Sequence, residues 1–287
     1  MIHNIRLSKT VGTKCLKFLS TVFGCIIFSS LALTSCGISN VVSTADSGSG
    51  VIPLNLIYYG VHTSAIDSLI ISVRPQYVIE NTPEGLWGQI GGNNVLQDIH
   101  SYQSAGIKVI GYITSGYEGT KSNGDIAPQW YSLATNEKLI KNMAELDGVN
   151  GVFIDECSAF PDTGDKEYLT TLTNLAHGLG LLTWGNVGEA DFDSWYFTAG
   201  GFDLMQSNED WSGQNLTQVQ KDWGSRISVT GSAPQETAIE AFGQTVAAWK
   251  KGLAYCYVSD TGYDSLPAWL KLYTELLQGW GPNLKPK

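Results

Sequence analysis

Asp155 and Glu156 stand side by side at the end of a short apolar run, Val152-Phe153-Ile154. Such a run reads as a strand buried on both faces, where two adjacent charges have no packing role. In folds built from parallel strands the residues just past the C-terminal strand edge line the active site. The pair is therefore a candidate for chemistry, the plainer alternative being a carboxylate that only caps the following turn. Glu209 holds the corresponding position at the end of the run FDLMQSNE, residues 202–209. Carboxyl groups facing one another across a pocket can divide a bond cleavage between them: one protonates a leaving oxygen, while the other, ionised, acts as nucleophile or base.

Positioning these groups requires a scaffold that collects strand ends on one face. From residue 54 onward the chain repeats an apolar run, a polar loop and a segment of helical spacing. The strand candidates are LNLIYYG (54–60), QYVIEN (76–81), IKVIGYIT (107–114), GVFIDE (151–156), LLTWGN (181–186), FDLMQSNE (202–209), RISVTG (226–231) and LAYCYVSD (253–260). Between them, residues 94–105 carry Leu96, Ile99 and Tyr102 on one helical face, and residues 265–278 carry Leu266, Trp269, Leu270, Tyr273, Leu276 and Leu277. Ser232-Ala233-Pro234-Gln235 has the pattern of a helix N-terminal capping box. Eight such units predict a single-domain α/β fold, a (β/α)8 TIM barrel. A dinucleotide-binding sheet would need a glycine-rich turn after its first strand, and Tyr58-Tyr59-Gly60-Val61-His62 does not supply one.

The strand ends then define the candidate site. They bring Tyr59, Asn81, Tyr112 with Tyr117 beyond it, Trp184 and Asn186, and Tyr257 with Asp260 to the face that carries Asp155, Glu156 and Glu209. Carboxylates among tyrosines and tryptophans suit sugars, because aromatic faces pack on the apolar faces of sugar rings. Trp87, Trp130 and Trp211 are placed in loops near this face, Trp249 and Trp269 in helices. Two other functions fit the same residues: a non-catalytic carbohydrate-binding barrel of the cell surface, and an enzyme holding a divalent metal on Glu80, Asp155 and Glu209. Asp67, Asp98, Glu137 and Glu145 are assigned to solvated helix faces. His62, His100 and His177 start, line or end helices and receive no catalytic role, and no paired-histidine or Cys-x-x-Cys spacing offers a zinc site. The chemistry needs neither a metal nor an organic cofactor.

The segments LNLIYYG, AGIKVIGYITSGY, GVFIDE, LLTWGNVG and FDLMQSNE together resemble the spherulin-4-like (spherulation-specific family 4) proteins, glycoside hydrolase family 135, related to the family 114 barrels. The resemblance runs through most of residues 54–210. It implies endo-cleavage of α-1,4-linked galactosamine or N-acetylgalactosamine polymers, an amino-sugar polysaccharide being the partner, with Asp155, Glu156 and Glu209 as the catalytic acids. Asn81-Thr82-Pro83-Glu84-Gly85 and Asn186-Val187-Gly188 depart from the family's Asn-Pro loops, and Lys121 is the only base in the loop after Tyr117. These departures bear on substrate preference.

The remainder of the chain bounds the setting. Residues 1–35 contain Arg6, Lys9, Lys14 and Lys17, no acid, and an apolar stretch from Phe18 to Leu33. That order is a signal peptide, with an uncleaved anchor helix as the alternative. Its end, Leu33-Thr34-Ser35-Cys36, resembles a bacterial lipobox, which makes Cys36 the lipidation site and mature N-terminus of an exported, membrane-anchored, cell-surface lipoprotein. Residues 36–50 read as a flexible tether and 51–287 as the barrel. Removing four bases and no acid takes the formal net charge from −10 to −14, which argues against a nucleic-acid partner. Cys157 and Cys256, on the fourth and eighth strands, are too far apart to bond. The sequence leaves the oligomeric state open.

Overall fold

A computed structural model describes residues 52–91, 96–120, 126–233 and 237–280 of the 287-residue chain. The leader, Cys36, the tether, Lys121 and Pro234-Gln235 lie outside the described residues. Eight strands run parallel in sequence order: β1 (Asn55–Tyr58), β2 (Tyr77–Glu80), β3 (Lys108–Thr114), β4 (Gly151–Asp155), β5 (Leu182–Asn186), β6 (Leu204–Gln206), β7 (Ile227–Ser232) and β8 (Tyr255–Ser259). β8 returns beside β1, so the sheet curls into the expected (β/α)8 barrel.

The helices that follow the strands in turn are α1 (Ser64–Val73), α2 (Leu96–Ser104), α3 (Leu133–Asn142), α4 (Thr163–Gly178), the short α5 (Trp195–Thr198), α6 (Gln218–Trp223), α7 (Ala238–Lys250) and α8 (Leu270–Trp280). Their starts are set by local chemistry. Thr63 caps α1 by accepting from Ile66 N, and Asp162 and Asp165 form a reciprocal capping box at α4. Two expected starts move. Ser232 ends β7 rather than capping a helix, and Thr237 takes that role by accepting from Glu240 N. α8 opens at Leu270 rather than Ser265, with Leu270 N bonded to Pro267 O.

Alternation along each strand decides what fills the barrel. Tyr77, Trp184 and Tyr255 point inward and meet with ring centroids 5.5 to 5.7 Å apart, and Phe153 and Tyr112 stack at 6.0 Å beside them. This aromatic plug makes the interior a packed core and forms the floor beneath the strand ends. Cys157 and Cys256 are both free thiols in buried positions.

Candidate active site

Asp155 is the last residue of β4 and shares the inward face with Phe153, two residues below it. Three donors meet its carboxylate. Tyr112 OH donates to Oδ2 at 2.6 Å, while Oδ1 accepts from Glu156 N at 2.8 Å and from Asn186 Nδ2 at 2.7 Å. Burial pushes the Asp155 carboxyl up and the three hydrogen bonds pull it down, leaving it raised to about 6. The register Tyr112↔Phe153 and Ile154↔Gly185 brings these three strand ends level.

Asn186 ends β5 and uses its amide nitrogen twice, donating also to Glu209 Oε1 at 2.7 Å. Its carbonyl oxygen accepts from Gly188 N at 2.9 Å, which fixes which end of the amide faces the acids. Gly188 holds φ at +67°, the left-handed conformation that this return bond requires and that side chains disfavour. Two bonds of 2.7 Å through one nitrogen limit the nearest oxygens of Asp155 and Glu209 to about 5.4 Å apart. Glu209 is exposed at the barrel mouth whereas Asp155 lies deeper. The two acids therefore differ in their access to water.

Glu156 is held on the β3 side of Asp155: its Oε2 accepts from Thr114 Oγ1 at 2.6 Å. Its backbone is left-handed, with φ 55°, as are Tyr117 at 50° and Glu118 at 56° in the loop after β3. Three side-chain-bearing residues in this region cost roughly 1–3 kcal/mol each and persist only where the surroundings hold them. Here the loops bind each other: Tyr117 N donates to Glu156 O, Ser115 N to Asp155 O, and Ser115 Oγ to Glu156 O. Buried Glu118 accepts from Ser158 N at 3.0 Å and Ser158 Oγ at 2.5 Å. The strained backbone thus clamps the β4 end that carries Asp155.

Tyrosines wall the carboxylates. Tyr59 meets Tyr112 edge-on at 5.3 Å and Tyr263 at 5.9 Å. Burial, and then the nearby charge of Asp155, raise the phenols of Tyr59 and Tyr112 well above the ordinary tyrosine value. Tyr263 lies in the loop after β8 and donates to Thr230 Oγ1 at 3.0 Å; burial raises it to about 12, with Glu209 and Asp155 contributing. Nothing in the strand pattern marks Tyr263, and a lone aromatic in a Thr-Gly-Tyr-Asp loop is the only sequence signal. Asn81 follows β2 at the level of Tyr59, to whose carbonyl oxygen its Nδ2 donates at 3.2 Å. Tyr257 is fully buried 6.2 Å from Tyr263 and supports the wall from below.

Other expected site residues are elsewhere. Trp184 belongs to the aromatic plug, fully buried with Nε1 donating to Ser228 Oγ at 3.3 Å, because it sits two residues below Asn186 on the same strand face. Asp260 Oδ2 accepts from Trp269 Nε1 at 2.6 Å, while its buried Oδ1 receives no hydrogen bond. Trp211 is buried, with only 1% exposure, and offers no loop platform. Glu80, one residue out of phase with inward-facing Ile79, projects to the helix side of β2 and cannot join Asp155 and Glu209 around a metal. Asp67 and Asp98 are turned inward there too, beside His62, rather than lying on solvated faces.

No protein-family model and no curated protein sequence matches the chain. Solved structures do resemble it. Aspergillus clavatus Sph3 in complex with GalNAc superposes with a TM-score of 0.58 at 14% identity, covering 79% of this chain and 98% of that one. A class V chitinase from Pseudomonas fluorescens Pf-5 gives 0.53 at 12% identity over 79% and 99% of the two chains. The Bacillus megaterium spore cortex-lytic enzyme SleL gives 0.52 at 9% identity over 82% and 76%. At these identities the likeness establishes the barrel.

Proposed function

We propose that this chain is a glycoside hydrolase of the spherulin-4-like kind, an exported lipoprotein anchored through Cys36, that cuts α-1,4-linked galactosamine or N-acetylgalactosamine polymers internally. The observation that carries the reading is the Asn186 amide bonded at once to Asp155 and Glu209, each at 2.7 Å, inside a wall of tyrosines. A purely binding surface has no need to hold two carboxylates this close and in different solvation. The barrel likeness to a protein seen with GalNAc adds to the resemblance in strands one and three to six.

In this mechanism Glu209, at the mouth and open to water, gives its proton to the glycosidic oxygen as the bond to C1 breaks. Asp155, ionised and held by Tyr112, Glu156 N and Asn186, meets the positive charge or bond developing at C1. Glu209, now ionised, then takes a proton from the water that attacks C1 as the bond to Asp155 breaks. The limit of about 5.4 Å between nearest oxygens lies closer to the roughly 5–5.5 Å spacing of a nucleophile and acid than to the roughly 6.5–9.5 Å that leaves room for a water between them. The proposed mechanism predicts retention of the anomeric configuration.

The test is incubation of the purified protein with a partly acetylated α-1,4-galactosamine polymer, with product sizing and anomer detection by NMR. Oligosaccharides released with retained configuration are expected. Release of monosaccharide only, or cleavage of glucose-based or anionic glycans but not of this polymer, defeats the substrate assignment.

A further inference from the structure

A second set of ionisable groups lies outside the barrel, in the layer between the sheet and helices α1 and α2. Four segments supply it: His62 from the loop before α1, Asp67 from the first turn of α1, Glu80 from β2, and Asp98 from the first turn of α2, with Tyr102 one turn further on. His62 Nδ1 stands 2.9 Å from Asp67 Oδ1, 3.7 Å from Asp98 Oδ2 and 3.1 Å from Tyr102 OH. The other ring nitrogen, Nε2, is 3.4 Å from Glu80 Oε2. The His62 and Glu80 side chains are each 2% exposed.

The arrangement is short of positive charge. Three carboxylates surround one imidazole, and among the described residues no lysine or arginine pairs with any of them. Tyr102 OH donates to Asp67 Oδ1 at 2.6 Å, so its proton is committed. Glu80 Oε2 and Asp98 Oδ2 are buried acceptors that receive no hydrogen bond. Unmet buried acceptors of this kind are costly and rare, and that of Asp98, beside Nδ1, points to a group that completes it.

We propose that the cluster is a structural site for a divalent first-row transition cation, Zn2+ foremost, with His62 Nδ1, Asp67 Oδ1 and Asp98 Oδ2 as ligands and Glu80 as the carboxylate behind the imidazole. The three ligand atoms lie within 4.8 Å of one another. Their separations from Nδ1, 2.9 and 3.7 Å, bracket the edge of about 3.3 Å for a tetrahedron with bonds near 2.0–2.1 Å. Glu80 beside Nε2 favours the proton on that nitrogen, which turns the Nδ1 lone pair toward the two aspartates, as in the carboxylate–histidine–metal arrangement. With the proton there, Nδ1 and Asp67 Oδ1 are two acceptors in contact, and a cation between them removes the repulsion. The ring of Tyr58 packs edge-on to His62 at 5.2 Å, and Tyr59, its neighbour in the chain, walls the active site. The ion would thus brace the β1 end from outside without touching the reacting bond.

The experiment uses the full chain, treated with a chelator and then titrated with ZnCl2, with metal content, melting temperature and the visible spectrum of a Co2+-loaded sample as readouts. One bound equivalent, a rise in melting temperature and tetrahedral Co2+ bands are expected. His62→Gln and Asp98→Asn should lose binding, Glu80→Gln should weaken it about 10–100-fold, and Asp155→Asn should bind as the wild type does. No stoichiometric uptake of Zn2+ or Co2+ by the wild type, with melting unchanged by chelator, overturns the site. Undiminished binding in folded His62→Gln overturns it as well. If that variant fails to fold, the wild-type titration and Co2+ spectrum decide.

Discussion

Tyr112 donates its phenolic hydrogen to Asp155 Oδ2 at 2.6 Å across the β3–β4 seam, and this bond belongs to the charged form of the acid. Burial raises the Asp155 carboxyl, the Tyr112 bond is the largest of the three that lower it, and the balance is about 6. In the proposed mechanism an ionised Asp155 is the active form, so kcat/KM should fall as pH drops through about 6. Tyr112→Phe removes a stabiliser of the charge and moves this acid limb upward, so the variant should lose more activity at pH 5.5 than at pH 8. A pH profile whose acid limb stays in place after the substitution would separate Asp155 from the limb.

The Asn186 amide serves both carboxylates with one nitrogen, and Gly188 N holds it in that orientation. Asn186→Ala removes both bonds and should lower kcat by roughly a hundredfold, with KM changed much less. Asn186→Asp is expected to be at least as damaging, since it sets a third carboxylate against the other two. Circular dichroism and melting curves establish whether either variant remains folded. Near-normal turnover in folded Asn186→Ala would remove the bridge from the mechanism.

Asp155 also carries a signature in stability. Its folded pKa of about 6 exceeds the roughly 3.9 of an unfolded aspartate, so the native state favours the protonated form. The sign follows: stability from this group is present at acid pH and is lost as pH rises through about 6. Asp155→Asn keeps the shape and discards the charge, so it should melt higher than wild type at pH 8, with the gap narrowing toward pH 4. Turnover in the same variant should fall by roughly a hundredfold or more, as it should in Glu209→Gln. A variant that melts lower than wild type at pH 8 and is unchanged at pH 4 contradicts the burial argument.

The barrel was legible because every strand is an apolar run ended by polar residues, and eight such runs spaced by helices admit few other folds. Inside those runs the legible unit was the strand end, not the individual side chain. Asn186 and Trp184 share an inward face, yet one is at the rim and the other a layer down in the plug; only the barrel's packing separates them. Glu80 is displaced from the pocket by a single residue of phase, since neighbouring side chains on a strand face opposite ways. The same rule hid the His62 cluster, whose members come from a loop, two helices and the outer face of β2. Tyr263 lies in a loop with no periodicity to place it, and its contact with Tyr59 depends on β8 returning beside β1.

The rim electrostatics make a final distinction between substrates. Glu209 and Asp210 are exposed at the mouth with Glu156 and Asp155 behind them, while Lys166, on α4, is taken up by Asp193 at 2.9 Å. Glu80 lies on the helix side of β2, away from this rim, and Asp260 Oδ2 accepts from Trp269 Nε1. If the proposed substrate is correct, a galactosamine chain with free amino groups should be attracted over several ångströms before it docks, and a fully acetylated chain should not. Added salt shortens that reach from about 10 Å at 0.1 M to about 3 Å at 1 M. At substrate levels far below saturation, hydrolysis of the partly deacetylated polymer should slow as salt rises, while hydrolysis of the fully acetylated polymer changes little. Parallel slopes for the two polymers would show that the acidic rim does not select the substrate, and a faster rate on the cationic chain in high salt would show that it opposes binding.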